Sequence, residues 1–156
     1  MIVRQIGLFL DRYGIEPQLV KEYEECRRSS IIYFPKEKNG INMSRAVVFG
    51  DRIDHTLFDL KCLCEGYQDC RLKLAYSLPK TSNWLRYFGY DFSKIVDWMK
   101  IDTILVKNNE VSDLEKNDGS IITGYKELYE WKWSTCYYEN LKSKIMELET
   151  NILESI

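Results

Sequence analysis

The sequence predicts an α+β fold: a small antiparallel or mixed sheet packed by several helices, with an amphipathic helix at the C-terminal end. Three observations carry this expectation. Apolar residues recur at helical spacing in separate stretches, short β-branched and aromatic runs fall between them, and Asn-Gly and Asn-Asp-Gly turn signals punctuate the chain. At 156 residues, with 45% hydrophobic and 29% charged residues, the chain suits one globular domain spanning 1–156 rather than a disordered tract. No internal repeat or low-complexity linker divides it.

The first helix is expected over residues 2–13, where Ile2, Ile6, Phe9, Leu10 and Tyr13 share a face and Gly14 follows. A buried strand over "IGLFLD" competes with it. Pro17 then suits the first turn of a second helix, with Leu19, Val20 and Tyr23 inward and Arg27 and Arg28 near its C-terminal dipole. The runs "SIIYFP" and "SRAVVFG", separated by Asn39-Gly40, read as a hairpin. Residues 53–67 place Ile53, Leu57, Leu60, Cys64 and Tyr67 at helical spacing, with Asp54 as the expected N-cap. "RLKLAYSLP" alternates like a strand, residues 82–100 follow a helical pattern broken near Gly89, and "IDTILVKNN" reads as another strand.

Residues 125–133 are the ambiguous stretch. As a strand they put Tyr129, Trp131 and Trp133 on one face, opposite Leu128, Glu130 and Lys132. A continuous helix from 124 leaves Trp131 off the apolar stripe, so a strand followed by a helix capped at Ser134-Thr135 is favoured. Leu141, Ile145 and Leu148 are then the inner face of the final helix.

Composition excludes several jobs. A net charge of −2 argues against gripping nucleic acid by bulk electrostatics, and one histidine rules out mechanisms built on paired histidines. Gly-rich phosphate loops and Gly-x-Ser-x-Gly elbows are absent from the sequence. The apolar run "IGLFL" is too short for a membrane span or a signal-peptide core, and five cysteines, an odd number, suit reduced thiols in the cytoplasm.

Aromatic residues make up 13% of the chain, including 11 tyrosines and 4 tryptophans, and such side chains are enriched at binding surfaces. The leading expectation is therefore a non-catalytic protein-interaction module, an inhibitor, immunity or accessory protein without a cofactor. It would present acidic and aromatic side chains to a basic protein partner and have no membrane association. Trp84, Tyr87, Tyr90, Trp131 and Trp133 are the expected anchors.

Two other patterns imply different chemistry. Asp118, or alternatively Asp102, followed by Glu130-Trp131-Lys132, resembles the restriction-endonuclease-like superfamily. That resemblance implies carboxylates holding Mg²⁺ or Mn²⁺ and a lysine placing the attacking water. His55 is similar to the added histidine ligand of its cap-snatching variant. Asp59-Leu60-Lys61 repeats the acid-any-lysine spacing, as chance alone would produce. Residues 6–23 resemble a helix-turn-helix DNA-binding segment around Gly14, although Glu22, Glu24 and Glu25 suit a phosphate-lined groove poorly. His55, Cys62, Cys64 and Cys70 are zinc-binding types, but residues 62 and 64 point about 200° apart on a helix, and no metal site is expected there.

Overall fold

A computed structural model describes residues 34–50, 52–116 and 120–124, together with residues 137, 139–141, 143, 144, 146 and 147, all helical. The described residues form α1 (Ile41–Val48), α2 (Ile53–Cys64), α3 (Lys73–Tyr76), α4 (Pro79–Tyr87), α5 (Phe92–Met99), β1 (Val106–Lys107) and β2 (Glu110–Val111). The α+β class stands. Its helices outweigh a two-stranded antiparallel sheet in which Val106 pairs with Val111 and Lys107 with Glu110.

α2 is the central element. Nine of its twelve residues are buried, including Asp54, His55, Thr56 and Asp59, so it is surrounded by protein rather than lying half in water. Its N-cap is Arg52, not Asp54 as expected from sequence. The Thr56 hydroxyl donates back to the Arg52 carbonyl at 2.6 Å.

Two expected β segments are helical. The Asn39-Gly40 turn signal leads into α1 instead of closing a hairpin: Asn39 is left-handed (φ 62°) and Gly40 is the N-cap. A Cβ on Gly40 would lie 2.9 Å from the Glu37 carbonyl oxygen, so the approach requires glycine. Ile41, Arg45 and Phe49, four residues apart, are buried, whereas a strand would have buried every second residue. In "RLKLAYSLP", Leu72, Ala75 and Tyr76 are buried while Leu74 is 79% exposed. That is one helical turn packed inward, and the apparent alternation does not describe it.

The break near Gly89 is real. Pro79 starts α4 within its first turn, and α4 ends with Gly89 N–H donating to the Arg86 carbonyl (2.9 Å) and Tyr90 N–H to the Leu85 carbonyl (3.0 Å). Asp91 then caps α5, accepting the Lys94 N–H at 3.3 Å. The expected strand "IDTILVKNN" is mostly turn: only Val106 and Lys107 join the sheet, and Asp102 makes an isolated bridge to Val106. Asn108 and Asn109, both left-handed, close the β1–β2 hairpin. The helix and strand expectations for residues 1–33 and 125–133 lie outside the described residues, as do Ile145 and Leu148; Leu141 packs against the core.

Candidate functional site

Side chains of α4 divide by face. Trp84 is only 1% exposed and sits edge-on to Phe34, Phe88 and Trp98, with ring centroids 6.1, 5.9 and 6.1 Å away. It is core, which corrects its expected role as a surface anchor. Tyr87 is 52% exposed, its ring edge-on to Phe88 with centroids 5.1 Å apart, and Tyr90 is 40% exposed. Tyr90 has φ 53°, a left-handed conformation unusual for a bulky residue and costly in backbone energy.

Tyr90 lines an open cleft of about 360 Å³ bounded by Lys61, Cys64 and Glu65 at the end of α2, by Asp91 and Ser93 at the start of α5, and by Asn109 of the hairpin turn. Lys61 is tied to Glu65 at 3.0 Å. Burial pushes the Cys64 thiol up to about 12, and the negative charges of Asp91 and Glu65 push it the same way. It is therefore a neutral wall group and not a nucleophile.

A second cluster is buried. Arg52 donates to both carboxylate oxygens of Asp54 (3.0 and 2.6 Å) and to Glu115 (2.9 Å). Asp54 also accepts the His55 and Leu114 N–H groups. Burial raises the Asp54 carboxyl, against the pull of Arg52 and these donors. Further along α2, Asp59 accepts from Arg71 N–H (2.8 Å), Leu72 N–H (3.2 Å) and the Tyr76 hydroxyl (2.6 Å). Each carboxylate thus pins a neighbouring segment to α2. These are fastening sites, with their acceptor positions committed to the fold.

His55 belongs to this interior. Its ring stands edge-on to Phe49 at 6.1 Å, and burial, helped by the Arg52 cation, pushes its pKa down to about 3. Along α2 it lies roughly 10 Å of helix rise from Cys62 and roughly 13 Å from Cys64, too far to share one ion with either. Cys70 donates to the Asp59 and Tyr67 carbonyls at 3.5 Å. Among the described residues, no group of three or more His, Cys, Asp or Glu side chains is placed to hold a metal. Asp102 is exposed, while Asp118, Glu130, Lys132, Trp131, Trp133 and the helix-turn-helix-like residues 6–23 lie outside the described residues.

The buried Arg52–Asp54 pair, joined by the half-buried Glu115, was not foreseen from sequence. Arg52 and Asp54 flank Ile53 in the run Asp51-Arg52-Ile53-Asp54-His55, and nothing local shows that Glu115 meets them. The chain matches no protein-family profile, no curated protein and no solved structure. Among the described residues, no helix is long and apolar enough to cross a membrane.

Proposed function

We propose that the chain is a non-catalytic protein-interaction module of inhibitor, immunity or accessory type, acting in the cytoplasm on a basic protein partner. The observation that carries this reading is the Tyr87–Tyr90 turn. Two exposed tyrosines stand within four residues, one braced on Phe88, which packs against Trp98, and the other held in a left-handed conformation beside an open cleft. Large, rigid aromatic side chains bind with little loss of rotamer freedom, and a strained backbone at their base suits a recognition surface. The chemistry around them is acidic: Glu65 and Asp91 against Lys61.

The test is affinity capture from the source cells, with the parent and a Tyr87→Ala/Tyr90→Ala protein side by side, followed by gel filtration of the purified pair. A single protein that co-migrates with the parent and is lost from the double variant supports the reading. Identical recovery by both proteins would overturn it. Mn²⁺ separates it from the metal-nuclease expectation: this reading has no Mn²⁺-dependent rise in melting temperature and no nucleic-acid cleavage sensitive to Glu130→Ala or Lys132→Ala.

A further inference from the structure

Resting on that reading, we propose that the cleft beside Tyr90 receives an arginine side chain of the protein partner, its guanidinium between the Tyr90 ring and the Asp91 carboxylate. Helix ends set the field there. The cleft takes Cys64 and Glu65 from the C-terminal end of α2 and Gly89 and Tyr90 from just beyond the C-terminal end of α4, both negative poles. The one positive pole, the start of α5, is capped by the Asp91 carboxylate itself. Of the cleft's three charged side chains, Lys61 and Glu65 answer each other at 3.0 Å. Among the described residues, that leaves Asp91 as the cleft carboxylate with no cationic side chain paired to it; it accepts the Lys94 N–H at a long 3.3 Å.

Tyr90 brings an aromatic side chain to the lining, and Ser93 and Asn109 are neutral residues with hydrogen-bonding side chains. A planar cation that can stack on an aromatic ring while donating two parallel hydrogen bonds to a carboxylate fits this set, and guanidinium does both where ammonium does not. The volume is at the lower end for a binding cleft, suited to one inserted side chain.

N-acetyl-L-arginine amide is the probe, titrated into the ¹⁵N-labelled full chain, with the citrulline amide as its neutral counterpart and the lysine amide as a point charge. Saturable amide shifts confined to Tyr90, Asp91, Ser93 and Asn109 are expected with arginine, weaker ones with lysine and none with citrulline. Asp91→Asn keeps a good N-cap while removing the charge, and should weaken binding about five- to tenfold; Asp97→Asn, on the same helix outside the cleft, should not. Equal response to citrulline, lysine binding as tight as arginine, no saturable shift, or no effect of Asp91→Asn would each overturn the assignment. Because the probe is a free amide, its failure leaves capture through Tyr87 standing. Arginine binding alongside undiminished capture by the Tyr87→Ala/Tyr90→Ala protein would instead remove the interaction reading and keep the cleft.

Discussion

The Tyr137 hydroxyl accepts the backbone N–H of Ile53 at 3.0 Å, joining residues 84 apart in the chain. The bond occupies one of the first-turn N–H groups that a helix cannot satisfy internally. The same ring lies under the Arg52 guanidinium, 4.4 Å from its centroid. Asn140 adds a side-chain bond to the Leu114 carbonyl. The C-terminal helical segment is thereby fastened to the start of α2 and to the loop after β2.

Tyr137→Phe separates these contributions. The ring and its contact with Arg52 remain, but the buried Ile53 N–H loses its acceptor, which costs about 1–3 kcal/mol. A lower urea midpoint with an unchanged slope is the expected result. An unchanged midpoint would mean that another acceptor replaces the hydroxyl.

Arg52→Met should be more damaging, about 3–5 kcal/mol, because it leaves the Asp54 carboxylate buried without its cation. Adding Asp54→Asn should recover part of that loss. The readout is a double-mutant cycle by urea denaturation, in which a coupling near zero would mean that the pair is not held as drawn.

The helices legible in sequence were those whose apolar stripe was long and clearly bounded. Ile53, Leu57 and Leu60 announced α2, and Gly89 announced the break between α4 and α5. α1 and α3 were misread because β-branched content and a short alternation stood in for burial, which tertiary contacts decide. Arg45 shows why: an arginine 1% exposed on the inner face of α1 gives no apolar signal. For the site, Tyr87 and Tyr90 were named among the expected anchors, but so was Trp84 from the inner face of α4. The four-residue step from Trp84 to Phe88 marked that inner face, and Tyr87 lies off it. The cleft needs the ends of α2 and α4, the start of α5 and the hairpin turn to converge, which no local pattern encodes.

His55 sets an acid limit on stability. Its folded-state pKa is about 3 against an ordinary 6.5, so between those values the unfolded chain binds a proton that the folded protein excludes. Stability should therefore be lost as pH falls below 6.5, at up to about 1.4 kcal/mol per pH unit. Asp54 and Asp59 have raised carboxyls and act with the opposite sign, their contribution fading as pH rises. They are common to the parent and a His55→Gln protein, so the difference between the two isolates the histidine. Urea midpoints from pH 6.5 to 4 should fall more steeply in the parent, and parallel slopes would contradict the buried neutral imidazole.

Tyr90→Asn tests whether the exposed tyrosine is kept for recognition at the expense of the fold. A bulky residue in the left-handed region costs on the order of 1–2 kcal/mol, whereas asparagine visits it readily. Against this relief stands the loss of a ring that is 40% exposed and so only partly packed. Relief should match or exceed the lost packing, giving a melting temperature equal to or above that of the parent while arginine-amide binding falls. That opposite movement is what a strained recognition residue produces. A variant that loses stability and binding together would instead make Tyr90 a packing residue, with its φ imposed by the turn after Gly89.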